Sequence, residues 1–482
     1  MKRLAVLSIA AVMLAAIPLA AQTSWMKTYG TTGTSSGWSV EQTSDGGYIV
    51  IGGRALPAQT SEVWIIKTDS NGDTIWTRSF GGHAEDWAYG GQEVSDGGYI
   101  IAGYTESFGA GNFDLWLLKT DADGDTLWTK TYGGENYDAA YGVDQTSDGG
   151  YIVTGYRDAV EHEESGYPWN GDLWLLKTDS EGDTIWTKTY GDEDTWDEGC
   201  HVQQTSDGGY IIACLALYSE ATLNSVMLMK TDGKGDSLWT YRAGGTQLMC
   251  VRETADDAYV AAGIEMGDLV LLKTDGSGNL LWKRTWGKTN PIYANDCADC
   301  VQETSDGGYI VTGIYGLKSY VGGYSEDGDL WLLKTDDKGD TVWTRLYGQN
   351  PQKDYGSWVQ QTTDGGYIIT GMTETYGGSE GNLWLIKTDS EGRIAVAEEP
   401  HVTQSDWQIP VSVGRRIVLQ YTDRPQGFSA SVFDASGRKV DEIHASQASG
   451  TIIWGDTQTP GVYFIRSSSD NTMITRKVIL VK

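Results

Sequence analysis

The chain has 482 residues, with 63 glycines, 20 tryptophans and 27 tyrosines against 6 phenylalanines, and carries a formal net charge of −31. That excess of carboxylates argues against nucleic acid or an anionic membrane as partner, since both would be repelled. The length exceeds one hydrophobic core, and a mixture so rich in glycine and large aromatics suits many short strands joined by tight turns.

Residues 1–21 run from Lys2 and Arg3 through an apolar stretch, Leu4 to Leu19, to the small pair Ala20 and Ala21. This is the order of a secretory signal peptide, with cleavage expected near Ala21. No cysteine follows the apolar stretch, which argues against a lipoprotein anchor. No later stretch reaches roughly 18 apolar residues, so no transmembrane segment is expected after cleavage.

From residue 22 to 399 the sequence repeats. A turn phrase, "SDGGY" or a variant, places aspartates at 45, 96, 148, 207, 256, 306 and 364, and a "KTD" phrase starts at Lys67, Lys119, Lys177, Lys230, Lys273, Lys334 and Lys387. In the second copy the strands read "YGGQEV", "GGYIIAGY", "FDLWLLKTD" and "DTLWTKTYG". "SDGG" and "TDADGD" supply the hairpin turns, and apolar residues on both faces of "DLWLLKTD" place that strand between stacked sheets. Seven four-stranded units of about 50 residues predict an all-β fold, a seven-bladed β-propeller, with an open solenoid as the alternative.

The outer-strand tryptophans number seven only when Trp25 is counted with Trp76, Trp128, Trp186, Trp239, Trp282 and Trp343. After the seventh "KTD" the chain reads "SEGRIAV", with Val396 where a tryptophan is expected. The expectation is that "SWMKTYG" lends its strand to the seventh unit and closes the ring. "RIAVAEE" is the rival fourth strand. "KTDSNGDTIW" also resembles the D-x-x-G-x-x-x-W phrase of quinoprotein-like propellers, which implies tryptophan docking between blades; vicinal cysteines for a quinone are absent from the sequence.

The five cysteines, Cys200, Cys214, Cys250, Cys297 and Cys300, fall in one third of the chain and form no framework. "CADC" has C-x-x-C spacing without a βαβ context or a second such pair, so small core residues are the simpler reading.

From 400 to 482 the repeat gives way to strands of a small immunoglobulin-like sandwich. "VFDASGRKV", then "GVYFIR" and a terminal "RKVILVK", resemble the C-terminal sorting domain of type IX secretion. The resemblance implies contact with that secretion machinery and a secreted or outer-surface location.

The variable loops between the second and third strands share one face with the links between units, and divergence among uniform copies marks that face for binding. Ten residues before the turn aspartate stand Asp86, Asp138, Asp197, Asp296 and Asp354, which either ring the channel mouth as a ligand or cation site or bond their own blade's backbone. The long loops carry Tyr156, Tyr167, Trp169, Tyr315, Tyr320 and Tyr324 beside Glu161, Glu163 and Glu164, which suits polysaccharide or a surface protein. Asp121, Asp123 and Asp125 in "DADGD" match a calcium loop, but sister copies lose these ligands, so a turn is the simpler reading and no cofactor is expected.

No G-x-S-x-G elbow, H-E-x-x-H or P-loop is present. The expected function is a non-enzymatic binding or surface-display protein. The alternatives are a carbohydrate-active hydrolase with paired carboxylates and a structural surface-layer component.

Overall fold

In the computed structural model the chain divides into two compact units, Met1–Ala395 and Val396–Lys482. The structure describes residues 24–394 except 31–32, 57–59, 162–167, 192–194, 219–224, 245, 288–294, 318, 321–322, 325–327, 349–351 and 377–380. It also describes 407–480 except 412, 415, 423, 425–426, 435–437, 456 and 470–471. The signal-peptide stretch and Val396 lie outside the described residues. All described elements are strands; none is a helix.

The first unit holds seven antiparallel sheets of four main strands, the blades of the repeat, the third with an added short strand, Pro168–Trp169. In the second these are Asp86–Glu93, Tyr99–Thr105, Asp114–Thr120 and Thr126–Tyr132. The third strand is buried along its whole length, as its two apolar faces require. The turns are set by aspartates that accept nearby backbone N–H groups: Asp45 takes Gly47 N–H at 2.9 Å, and Asp69 takes those of Asn71 and Asp73 at 2.8 Å.

The seventh sheet comprises Asp354–Gln361, Tyr367–Thr373, Asn382–Thr388 and, as its fourth strand, Trp25–Tyr29. Trp25 lies opposite Lys387 and Tyr29 opposite Leu383 in antiparallel register. The sheets are separate, and no sheet closes on itself.

Neighbouring sheets are docked by the same device seven times. The outer-strand tryptophan of one sheet meets the tyrosine that follows the first turn of the next, in "GGY" or, in the fifth copy, "DAY": Trp25 with Tyr48, Trp76 with Tyr99, Trp128 with Tyr151, Trp186 with Tyr210, Trp239 with Tyr259, Trp282 with Tyr309 and Trp343 with Tyr367. Ring centroids are 5.6 to 6.0 Å apart. Each ring also covers the turn glycine of that next sheet. Gly124, for example, has φ +77°, and a Cβ there would come within 2.8 Å of the Trp76 ring. Glycine is therefore required twice over, by backbone conformation and by contact. Five junctions add an ion pair from outer strand to neighbouring turn: Lys27 with Asp73, Arg78 with Asp125, Lys130 with Asp183, Lys188 with Asp236 and Arg284 with Asp340. These are largely solvent-exposed, so each contributes little.

Within each sheet the two repeated phrases meet. The lysine of "KTD" is buried and pairs with the turn aspartate in all seven copies, as with Lys67 and Asp45 at 2.8 Å or Lys230 and Asp207 at 2.9 Å. Partial burial works to raise Asp207, but donors from Thr205, Lys230 and Gly209 outweigh it and hold the carboxyl at about 2. The same balance lowers its six counterparts.

The second unit has a three-stranded sheet and a five-stranded sheet, the latter with one short parallel pair, Val413–Gly414 beside Ile479–Leu480. Trp407, Leu419, Phe428, Val432, Ile465 and Val478 share its core.

Candidate functional site: the central channel

The first strand of each sheet touches the first strands of the sheets on either side, and the succession returns to its start. Side-chain hydrogen bonds bind this circle. The last residue of each first strand accepts the turn N–H of the preceding sheet: Glu93 from Ser44, Gln145 from Ser95, Gln204 from Ser147, Glu253 from Ser206, Glu303 from Ala255, Gln361 from Ser305 and Gln42 from Thr363, all at 2.7 to 2.8 Å. The seven first strands are thereby the staves of a channel.

Several positions on each stave differ from copy to copy, and two of them bear on the channel. One is a β-bulge, where the register skips a residue: Trp38, Tyr89, Tyr141, Cys200, Met249, Asp299 and Ser357. A bulge re-aims the side chain it carries. Here rings from adjacent sheets meet, Trp38 with Tyr89 at 5.3 Å, Tyr89 with Tyr141 at 4.8 Å and Trp38 with Tyr355 at 6.1 Å. The aromatic arc runs on through Tyr156 to Trp196, whose indole N–H donates to Glu198 at 3.0 Å.

The other variable position holds Glu41, Gln92, Asp144, Gln203, Arg252, Gln302 and Gln360, which line a cavity of about 390 Å³ together with Tyr141, His201 and Trp358. That volume lies in the range of roughly 300–1,000 Å³ usual for small-molecule sites. The Arg252 guanidinium lies over the Trp358 ring, 5.2 Å from its centroid, and the His201 ring is 5.6 Å from the same ring.

Charge in the channel is strongly perturbed. Burial pushes Glu41 up to about 7 against the opposing hydrogen bond from Glu93 N–H, and Glu198 to about 7 against the Trp196 bond. Asp299 is brought to about 7 by burial and the nearby Cys250. Asp144 is also raised, chiefly by burial. Burial and then Arg252 hold His201 well below its usual range, so its imidazole is neutral. Glu198 and Asp299 stand on first strands and are part-exposed, and neither lines the cavity.

These shifts set a pH dependence. Between 4.5 and about 7 the folded state keeps protons on Glu198 and Asp299 that the unfolded chain has released, so their contribution to stability is lost as pH rises through that window. In thermal melts from pH 4.5 to 8, the Glu198→Gln/Asp299→Asn variant should lose less Tm than the parent. His201 works in the opposite sense below about 6.5, but equally in both proteins. Parallel profiles would refute the assignment.

The sequence-predicted residues are placed as follows. Asp86, Asp138, Asp197, Asp296 and Asp354 lie within the first strands rather than before them, and all are buried. Asp86 accepts Gly82 N–H at 2.7 Å and Ser107 Oγ–H at 2.6 Å; Asp138 accepts Gly134 and Asp158 N–H, both at 2.9 Å. Asp296 accepts Gly316 N–H, and Asp354 accepts the Thr373 and Thr375 hydroxyls. The carboxyls of these four thus serve neighbouring loops, and none of the five aspartates is among the residues lining the cavity.

Tyr167, Glu163 and Glu164 lie outside the described residues. Trp169, Tyr320 and Tyr324 stand on short strand pairs, Trp169 opposite Val160 and Tyr324 opposite Ser319. Tyr156 is buried within the aromatic arc, and Tyr315 meets Trp331 edge-on at 5.0 Å. Asp121 accepts the N–H groups of Asp123 and Asp125, while Asp125 pairs with Arg78. Among the described residues no group of three or more His, Cys, Asp or Glu is placed to hold a metal ion. Cys300 of "CADC" faces Cys250 of the neighbouring sheet, Sγ to Sγ 3.9 Å, rather than Cys297.

A channel was expected from the sequence, but the residues that line it went unread. The two columns are among those that vary when the seven first strands are aligned, but variation alone does not single them out, since the column of Ser36, Trp87, Ala139, Glu198, Gln247, Cys297 and Tyr355 varies more.

No family model and no curated protein matches the sequence. Among solved structures, PorZ of Porphyromonas gingivalis, described as an essential bacterial surface component of the type-IX secretion system, is similar at 8% identity and TM-score 0.41. The match covers 93% of this chain and 59% of PorZ, so the chain spans about three fifths of that protein's length. The WD40 domain of Neurospora crassa Pan2 is similar at 12% identity and TM-score 0.47, covering 75% of this chain and 94% of that one. The polysaccharide lyase Uly1 is similar at 10% identity and TM-score 0.43, covering 75% and 91%. In the described residues no helix is long and apolar enough to cross a membrane.

Proposed function

We propose that the protein is an exported, non-enzymatic binding module whose ligand seat is the channel. The observation that carries this is contrast between columns. Every strongly repeated residue is occupied in holding the sheets: tryptophan on tyrosine, lysine on aspartate. The two channel columns instead hold Trp, Tyr, Cys, Met, Asp and Ser in one, and Glu, Gln, Asp and Arg in the other. A scaffold that needed only to stand would have no use for such variety.

Export rests on the signal-peptide order of residues 1–21, and delivery by type IX secretion to the outer surface rests on the tail phrases "VFDASGRKV", "GVYFIR" and "RKVILVK". Ring closure through Trp25–Tyr29 belongs to the same reading, supported by the register of that strand on Asn382–Thr388. Polysaccharide is the ligand class the aromatic arc favours, since sugars pack on aromatic faces beside carboxylates and amides.

Glu198 and Asp299, two part-exposed first-strand carboxyls at about 7, favour a second reading, hydrolysis of a bound glycan with one of them as general acid. A polysaccharide array probed with the purified full chain tests both. Retention without release of reducing ends is expected. Released ends would favour the hydrolase, and no retention on any polysaccharide would sink both carbohydrate readings.

A further inference from the structure

The channel column that lines the cavity is not a neutral wall. In three sheets the glutamine oxygen is already committed: Gln203 Oε1 accepts Glu253 N–H at 2.9 Å, Gln302 Oε1 accepts Gln361 N–H at 2.5 Å and Gln360 Oε1 accepts Gln42 N–H at 2.6 Å. A backbone N–H can face only the oxygen of each amide. The NH₂ end, with two donors, is therefore the end left for the cavity. Glu41 and Asp144 hold the same backbone groups of their neighbours, Glu93 N–H and Gln204 N–H at 2.8 Å; Glu41 keeps a second carboxyl oxygen as acceptor, and Asp144 also takes the Gln92 side chain.

Arg252 completes the column. It forms no ion pair among the described residues, and its Nε is buried without a hydrogen-bond partner. The residue is part-buried, and Glu41 and Asp144 share its cavity without forming an ion pair to it, so the guanidinium still has room for a carboxylate. His201, 6% exposed, lines the same cavity with its Nδ1 unpartnered. One cation, a set of amide donors, two carboxyl acceptors and an unsatisfied imidazole thus converge on about 390 Å³.

Resting on the reading of the channel as a binding site, we propose that it takes a sugar acid, a small ligand bearing one carboxylate and several hydroxyls. The carboxylate meets Arg252, because a charge-assisted pair is what that side chain lacks. The hydroxyls, which both donate and accept, lie between the glutamine NH₂ groups and the oxygens of Glu41 and Asp144. A neutral sugar leaves Arg252 unpaired. A simple carboxylate leaves the amide and acid ring unused.

Calorimetric titration of the full chain with D-glucuronate, D-glucose and acetate separates these cases. Glucuronate should bind at one site per chain, and glucose and acetate at least about tenfold more weakly, the factor expected for one charge-assisted hydrogen bond. Arg252→Gln should weaken glucuronate by about the same factor. Gln302→Glu provides a variant that keeps the fold's own bond, since glutamate can accept Gln361 N–H as Glu41 accepts Glu93 N–H. It should also weaken glucuronate, by placing a carboxylate where a donor stood. Equal binding of glucose and glucuronate, no binding of either, or unchanged affinity in both variants would overturn the proposal. If all three probes fail while the chain is still retained on a polysaccharide array, the ligand class falls and the binding reading stands.

Discussion

A chain beginning at residue 31 should melt about 10 °C or more below one beginning at residue 22. The missing stretch is short, but its loss is felt at two surfaces. Within the seventh sheet, Asn382–Thr388 loses its antiparallel partner from Leu383 to Lys387 and becomes an unprotected edge. Toward the first sheet, the Trp25 ring leaves Tyr48, its indole N–H leaves the Ser70 carbonyl at 3.1 Å, and Tyr29 O–H leaves the Gly72 carbonyl at 2.6 Å. The Lys27 pair with Asp73 goes as well. One aromatic edge contact contributes roughly 0.5–1.5 kcal/mol beyond burial. The lost ladder and exposed apolar faces add more than that. Trp25→Ala, which removes the ring but keeps the strand, should fall between the two chains. A melt unchanged by the truncation would mean that another segment fills the seventh sheet's fourth place.

Asp207→Ala should destabilise the fold more than Lys230→Met, although the two residues form one ion pair. Their environments differ: the Lys230 side chain is 2% exposed and Asp207 is 57% exposed. Removing the aspartate strands a buried ammonium whose remaining partner is the Thr231 carbonyl at 2.9 Å. The cost of such an orphan is several kcal/mol in a fully buried pair, and roughly 2 kcal/mol here because the lost partner stood mostly in water. Removing the lysine leaves Asp207 with Thr205, Gly209 N–H and solvent, and methionine fills the lysine's apolar track, so the loss should stay below about 1.5 kcal/mol.

The same geometry fixes an acid limit. The folded carboxyl, at about 2, lies below its ordinary 3.8, so its contribution is complete above about 4 and disappears as pH falls through 2. Asp207→Ala should therefore also show a shallower loss of stability over that interval in urea melts. Equal effects of the two substitutions would show that the pair acts as a unit rather than as a buried cation with an exposed guard.

How far these features could be read from residues alone depends on whether they repeat. Strand order and the number of sheets follow from phrases copied seven times, because a turn such as "SDGG" and a doubly apolar strand such as "DLWLLKTD" each leave a local imprint. The pairing of "KTD" lysine with "SDGG" aspartate left none. Each phrase reads as a complete turn or strand end on its own, and only folding the intervening hairpin brings Lys119 onto Asp96. The aspartates at 86, 138, 197, 296 and 354 drew attention by recurring, yet recurrence is what a loop-bonding role produces. The channel residues escaped for the opposite reason. Trp38, Met249 and Asp299 share no property that a search for likeness could find, and the bulge that turns them inward depends on pairing register rather than composition.

The joining of Trp25–Tyr29 to Asn382–Thr388 also governs the order of events in folding. Trp25 and its partner Lys387 are separated by nearly the whole repeat array, so the encounter carries the largest loop-closure entropy in the unit. Six sheets can assemble from hairpins near in sequence while the first strand waits. The seventh cannot be finished until the last repeat is present, which makes its completion the late, slow step and leaves an incomplete chain with an open edge in the meantime.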